Sequence, residues 1–255
     1  MSNHINNISY INLNNKKEVI EMEKLEYLNQ YRKDKISIIE YNQLEQYKKY
    51  IPEKWFDALY CEDFNSRKDN VLMIWDSVVS EELSNTISYI NDFLVSLDII
   101  FDGKECTLIY GINNENGLEY YEGRFNKNLE INKNLSREWN NIPSSIKRFY
   151  DEVHNGFYCF ASFSMGLIPL EVVICLGEED LGILEELTEK PQISLDTSFA
   201  FFSNEEGLHI VVDANDNDIN NAVLWFANRE PRYNKNFWDY VDELIVMGFM
   251  DIILI

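Results

Sequence analysis

Oxygen-bearing side chains alternate along one short acidic segment of this chain. In Asp213-Ala214-Asn215-Asp216-Asn217-Asp218 they occupy the first, third and fifth positions, as they do in many calcium-binding loops. The sixth position is Asp218 where such a loop needs glycine, and the twelfth is Leu224 where it carries glutamate. We therefore interpret this segment as an acidic loop between two strands and predict no metal site there.

Histidine and cysteine, which supply most other metal ligands and many nucleophiles, are few and far apart. The three histidines are His4, His154 and His209. The four cysteines are Cys61, Cys106, Cys159 and Cys175. None of them forms a CxxC pair, and the chain has neither a GxSxG elbow nor a glycine-rich phosphate loop. We predict that His154 caps a helix end, that His209 faces solvent, and that the protein has no zinc site, disulfide, cofactor or enzymatic activity.

The charge of the chain is strongly negative and unevenly distributed. The 44 acidic and 22 basic residues give a net charge of −22, with −8 in residues 1–135 and −14 in residues 136–255. Such a field opposes binding to nucleic acid and anionic lipid and favours cationic partners. The alternative is that the negative charge serves solubility alone. The polar N-terminus is unlike a signal peptide, so we predict a cytoplasmic protein with a disordered tail over residues 1–15.

The pattern of residues 16–135 predicts an α+β region. A helical pattern runs from Lys16 to about Tyr50, and the apolar run Val71–Trp75 has strand length. A helix is predicted to begin at Ser80, with its apolar positions three or four residues apart at Leu83, Ile87, Ile90, Leu94 and Leu97. Asp102-Gly103 predicts a hairpin turn between strands over residues 97–101 and 106–110, and residues 117–125 predict a further strand. The polar stretch 126–141 is the best candidate for a boundary between two domains. The alternative is that its apolar residues are buried and join the two halves.

Residues 136–255 predict a second, more compact α+β region. A helix follows Ile142-Pro143 and stops at Asn155-Gly156, after which strands are predicted over residues 199–202, 208–213 and 223–226. Residues 178–189 form an acid-rich helical pattern, and residues 229–234 are predicted to form a polar loop. Asn236 is predicted to cap the last helix, and Gly248 to end it in the left-handed conformation.

The order of these C-terminal elements resembles the SUKH superfamily, and within it the branch related to the Smi/Knr regulators of fungal cell-wall glucan synthesis. The similarity rests on Ile142-Pro143, the aromatic strand 199–202, Asp213, the strand 223–226 and Asn236-Phe237, and covers about 110 residues, roughly 43% of the chain. Phe157 departs from the pattern, which often has glycine there, and the first 140 residues resemble no family that we can assign. The resemblance implies a twisted, mostly antiparallel sheet packed with helices.

The resemblance also implies a function, since bacterial members look mostly like immunity proteins that neutralise toxins with basic surfaces, commonly nucleases or deaminases. We predict that such a toxin contacts a surface formed by Glu178, Asp180, Glu185, Asp213, Asp216, Asp218 and Tyr233. Trp225 and Trp238 are predicted to lie in the core. The alternatives are a regulatory scaffold acting on host proteins, as in the fungal relatives, and an enzyme of unrecognised type.

Overall fold

The computed structural model describes residues 22–114, 117–127, 129–179, 182–185 and 187–250. The predicted tail, residues 1–15, lies outside these ranges. The described strands are β1 (Ser37–Ile39), β2 (Leu94–Phe101), β3 (Cys106–Asn114), β4 (Gly117–Arg124), β5 (Phe157–Cys159), β6 (Ser164–Leu167), β7 (Ile174–Cys175), β8 (Ser198–Ser203), β9 (Leu208–Asp213), β10 (Ala222–Phe226) and β11 (Arg232–Lys235). The described α-helices are α1 (22–30), α2 (Leu44–Tyr47), α3 (Glu53–Leu59), α4 (Phe64–Val79), α5 (Ser84–Phe93), α6 (Lys133–Glu138), α7 (Ser144–Glu152) and α8 (Phe237–Phe249).

All the described strands belong to one antiparallel sheet, so the fold is α+β, as predicted. Its order is β1-β2-β3-β4-β5-β6-β8-β9-β10-β11, and β7 pairs with β8 beside this path. Successive side chains of a strand point to opposite faces. On β3, Leu108 and Tyr110 join the main core, which helices α2 to α8 cover, while Ile109 joins a smaller cluster on the other face. We call these two sides the helical face and the second face.

The second face carries two separate apolar clusters. One lies under α1, where Leu28 and Ile36 pack against Ile100 and Ile109. The other lies under the chain between β7 and β8, where Leu176 packs near Trp225.

The strand predicted over Val71–Trp75 is wrong, because these residues lie inside α4. The helix begins after Asp63, whose carboxylate accepts the Ser66 N–H at 2.8 Å. Its buried residues Val71, Trp75 and Val78 recur at spacings of four and three, which is one face of a helix. A short apolar run is compatible with either a strand or a buried helix. Here the N-cap at Asp63 identifies the run as part of a helix.

The helix predicted from Ser80 divides into a helix and a strand. Ser80 is the C-cap residue of α4, and α5 begins later and ends where Leu94 turns extended with ψ 122°. Leu94 and Leu97, which we assigned to the helix, belong to β2 because pairing with β3 outweighs the helical spacing. The hairpin at Asp102-Gly103 is confirmed, since β2 and β3 pair on either side of it.

The helix predicted over residues 16–50 is interrupted. Residues before 22 lie outside the described ranges, α1 ends at residue 30, and β1 follows before the short helix α2. The Asn29 Oδ1 atom accepts the Ile36 N–H at 3.0 Å and so closes the turn after α1. Asparagine side chains satisfy backbone groups in this way where a helix stops.

The helix and strands predicted between residues 142 and 226 are confirmed as α7, β8, β9 and β10. Gly156 has φ +90°, the left-handed conformation that lets the chain leave α7. Asn236 caps α8 by accepting the N–H groups of Trp238 and Asp239. Trp225 and Trp238 are buried, as predicted.

Two predictions for this region are wrong. Residues 178–189 form no α-helix among those described; the chain there makes 3₁₀ turns over Leu176–Glu178 and Gly182–Glu185. The loop predicted over residues 229–234 is shorter, because residues 232–235 form the edge strand β11 by pairing with β10. A polar four-residue strand at a sheet edge has no apolar alternation that would identify it.

Gly248 does not end α8. It lies inside the helix, and its φ is not positive. A Cβ atom added there would overlap the hydroxyl of Tyr121 and come within 2.9 Å of the Met165 Cβ. The glycine is therefore required by close packing of α8 on the sheet and not by a turn.

The polar stretch 126–141 carries α6 and lies against the main core. Leu135 is fully buried, and Leu129, Ile131 and Trp139 pack around the core with partial exposure. Strand β4 pairs with β5, so one sheet passes from residues 16–135 into residues 136–255. The division at residue 135 stays a prediction about folding units.

A buried chain of hydrogen bonds links the two halves under the helical face. Trp75 Nε1 donates to Tyr110 Oη at 3.1 Å, and Tyr110 Oη lies 2.8 Å from His154 Nε2. His154 Nδ1 lies 3.2 Å from the carbonyl oxygen of Arg124. Because the carbonyl oxygen of Arg124 can only accept, Nδ1 of the neutral imidazole carries the proton, and Nε2 therefore accepts from the Tyr110 hydroxyl.

His154 is thus a neutral core residue rather than the cationic cap of a helix end that we predicted. It is fully buried, and the indole ring of Trp55 stacks on it with centroids 4.4 Å apart. Burial lowers the pKa of His154 from 6.5 to about 3.

Replacing Gly248 with alanine should destabilise the protein. In an open helix this change stabilises by roughly 1 kcal/mol. Here we expect a loss of at least about 1 kcal/mol in the free energy of unfolding, because the new methyl group overlaps Tyr121 and Met165. Urea unfolding measures it, and Tyr121→Phe as a second change should recover part of the loss. A stabilised Gly248→Ala variant would contradict the packing.

The stability of the protein should fall as the pH drops below about 6.5. Unfolded His154 takes up a proton there, while the folded residue stays neutral down to about pH 3. The free energy of unfolding should therefore fall by about 1.4 kcal/mol per pH unit from this residue alone. His209 is partly buried rather than facing solvent as we predicted, and because burial also lowers its pKa it acts in the same direction.

Urea unfolding between about pH 7.5 and pH 5 measures this effect. A His154→Gln variant should be less stable at the higher pH but should lose less stability on acidification. Equal losses in both proteins would contradict the neutral, buried state of His154.

Candidate functional site

Several ends of strands meet at one edge of the sheet on the C-terminal side. Ser198 at the start of β8 pairs with Asp213 at the end of β9. Cys175 at the end of β7 pairs with Phe199. Since β10 also starts beside the end of β9, the turns that connect these strands lie together at this edge.

Asp213 is buried at this edge, and its carboxylate accepts hydrogen bonds from neighbouring segments of the same chain. It is 9% exposed. Its Oδ1 accepts the hydroxyl of Thr197 at 2.7 Å and the N–H of Asn215 at 3.0 Å, while Oδ2 accepts the N–H of Ser194 at 3.1 Å. These bonds hold the chain before β8 against the loop after β9. Asp213 therefore supports the surface loops of this edge from the buried side.

Asp216 and Asp218 are exposed on the loop between β9 and β10. Asp216 accepts the N–H of Asp218 at 3.1 Å and the side-chain amide of Asn221 at 2.8 Å. Asp218 accepts the N–H and the side-chain amide of Asn220, at 2.9 and 3.0 Å. All these donors are neutral, so the hydrogen bonds hold the two carboxylates in place without pairing them with a cation.

Two further exposed acids lie at the same edge. The 3₁₀ turn that ends at Glu178 packs against the turn of residues 195–197, and Gly177 is in close contact with Asp196. We call Glu178, Asp196, Asp216 and Asp218 the acidic rim. We did not predict Asp196 as a contact residue from the sequence. The one signal for it in the sequence is its position two residues before the strand β8.

The remaining predicted contact residues have different outcomes. Tyr233 is half-buried on β11, and its hydroxyl accepts the N–H of Gln192 at 3.3 Å, close to the segment that binds Asp213. Asp180 lies outside the described residues, and so does the side chain of Glu185. The structure therefore brings Glu178, Asp213, Asp216 and Asp218 to one edge, with Tyr233 beside them.

The acidic rim has no cationic neighbour among the described residues. Residues 172–255 hold 17 acidic and 4 basic residues. Where the structure describes this segment, none of its acids lies within 4.0 Å of a basic side chain. Arg229 and Arg232 instead lie over the ring of Phe226, at 4.1 and 5.7 Å from its centroid.

Comparison with known protein families, with curated proteins and with solved structures found no match to this chain. The helices among the described residues are too short or too polar for any of them to cross a bilayer.

Replacing Asp213 with alanine should destabilise the edge of the sheet. The change leaves the donors of Ser194, Thr197 and Asn215 without their acceptor, so we expect the free energy of unfolding to fall by about 1–3 kcal/mol. Asp218→Asn, the matched control, keeps a good N-cap and should leave stability unchanged. Equal effects of the two changes in urea unfolding would contradict the inward role of Asp213.

Proposed function

We propose that this protein is an immunity protein, a non-catalytic inhibitor that binds a basic toxin through the acidic rim. The observation that carries the proposal is the rim itself, which gathers four exposed carboxylates with no cationic neighbour among the described residues. Charges of one sign on loops that are held by hydrogen bonds attract an oppositely charged partner and orient it. A toxin that acts on nucleic acid, such as a nuclease or a nucleic-acid deaminase, presents such a cationic surface to the phosphate backbone of its substrate.

Tyr233 supplies an aromatic contact beside the charges. It is half-buried, and its ring packs on the cluster around Trp225 while its hydroxyl lies near the surface at Gln192. Tyrosines held in this way are common among the residues that dominate interface energy.

We further propose that residues 136–255 have the SUKH arrangement. Supporting it are the order α7, β8, β9, β10 and α8, and the antiparallel pairing of the three strands.

Purification of the tagged protein from its own host at low salt tests the proposal. We expect one basic protein to co-purify, to resist release by moderate salt, and to lose its activity in the complex. A set of host proteins released by modest salt would instead support the regulatory scaffold. A protein that elutes alone from toxin-expressing cells would contradict the proposal.

Neutralising the acidic rim should slow association with that basic partner. Asp216→Asn combined with Asp218→Asn keeps the side-chain acceptors of the loop and removes two charges. We expect a roughly tenfold lower association rate at low salt and a weaker dependence of the rate on salt. Stopped-flow mixing measures both quantities.

The matched control combines Asp57→Asn with Asp69→Asn, which removes two exposed charges from α3 and α4. It changes the net charge equally and should leave the association rate close to that of the wild type. Equal slowing in the two double variants would show that only net charge matters and would contradict the assignment to the rim.

A further inference from the structure

A cleft of about 600 Å³ opens on the second face, far along the sheet from the acidic rim. The turn after α1 forms one wall, β2 to β4 form the floor, and Tyr158 and Phe163 close one end. This volume lies within the range of small-molecule sites, roughly 300–1,000 Å³.

A buried carboxylate lies at the bottom of the cleft. Glu122 on β4 is 2% exposed, and its Oε2 atom accepts the Tyr158 hydroxyl at 2.8 Å and pairs with the guanidinium of Arg32. Both partners use Oε2, and among the described residues Oε1 has no hydrogen bond. Arg32 also lies 4.3 Å from the ring centroid of Phe160, which fixes this wall to the sheet.

A hydroxyl with no partner among the described residues lines the same cleft, on the strand next to that of Glu122. Thr107 on β3 is 5% exposed and lines the cleft, and its Oγ1 atom has no hydrogen-bond partner in the described part of the chain. A buried hydroxyl left unbonded costs free energy, about 1–3 kcal/mol in proteins. A ligand that donates a hydrogen bond would remove this cost.

The charges around the cleft leave a negative surplus. Four carboxylates and three basic groups line the cleft: Asp34, Asp102, Glu105 and Glu122 against Arg32, Lys33 and Arg124. Arg32 pairs with Glu122, and Arg124 pairs with both Glu105 and Glu171. Burial, with the negative charges of Asp102 and Glu122, raises the pKa of Glu105 even though Arg124 is adjacent. The charged groups that line the cleft therefore favour the binding of one more positively charged group.

An aromatic ring faces the mouth of the cleft. Phe163 is 40% exposed, has φ 56°, and lies against Tyr158 with ring centroids 4.5 Å apart. A bulky side chain rarely adopts a positive φ, and such strain is concentrated at binding sites. The face of an exposed ring attracts cations, guanidinium above all.

We propose that this cleft binds a guanidinium group, which donates to Glu122 Oε1 and Thr107 Oγ1 and stacks on Phe163. The planar fork of guanidinium fits a carboxylate, a neighbouring hydroxyl and an aromatic face together better than an ammonium point charge does. The inference does not rest on the proposed inhibition of a toxin. The group comes either from a free small molecule or from an arginine of a protein.

Calorimetric titration of the full chain tests the proposal. The probes are agmatine, N-acetylarginine amide and, as the uncharged isostere, N-acetylcitrulline amide. We expect the two guanidinium probes to bind and the citrulline probe not to bind. Tighter binding of agmatine would assign the group to a free small molecule, and tighter binding of the arginine amide would assign it to a protein side chain.

The variant Thr107→Val tests whether the probes bind in the cleft. The change keeps the shape and removes a hydroxyl that has no hydrogen-bond partner among the described residues, so the fold should be retained or stabilised. We expect affinity for the guanidinium probes to fall about tenfold, since a hydrogen bond to a charged group is lost. The matched control is Thr86→Val, which removes another buried, unpaired hydroxyl on α5 and should leave the affinity unchanged.

Three results would overturn the proposal. The first is the absence of binding by either guanidinium probe at millimolar concentration. The second is equal binding of the citrulline probe, which would remove the need for positive charge. The third is binding that Thr107→Val leaves unchanged, because general attraction of cations to an acidic protein would then explain it.

Discussion

The hydrogen bonds from Trp75 through Tyr110 to His154 constrain the rest of this structure. Each group is buried, so each must bond to another group of the core or lose free energy. Trp75 and Tyr110 come from α4 and β3, while His154 follows α7, so the two sides of the chain must meet at this point. Aromatic rings of Trp55 and Phe157 surround His154 and exclude water, which keeps the imidazole neutral.

This arrangement fixes the helices on one face of the sheet and leaves its other face for smaller, separate features. Strands β2 to β5 continue through the centre, and their second face carries α1 and the cleft around Glu122. Strands β8 to β11 extend the same sheet and end in the acidic rim. Rigid strands thus hold both candidate sites: the loops between strands supply the charges of the acidic rim, and β4 itself supplies Glu122 to the cleft.

The sequence allows the prediction of elements whose local signals agree with their tertiary environment. The hairpin at Asp102-Gly103 and the cap at Asn236 are examples, because a turn and a cap are determined by neighbouring residues. Leu94 and Leu97 fit a helical spacing but pair in a sheet, and that choice depends on β3, a distant partner. The acidic loop was predictable, whereas the inward turn of Asp213 and the unpaired hydroxyl of Thr107 depend on contacts across the sheet.

The proposed role depends on whether the acidic rim is the contact surface. Hydrogen–deuterium exchange of the free protein and of its complex with the co-purified basic partner measures this directly. We predict slower exchange on binding in the segments 192–197 and 214–221, which carry and support the rim. Slower exchange confined to helices α3 to α5 on the helical face, with the rim segments unchanged, would contradict the account.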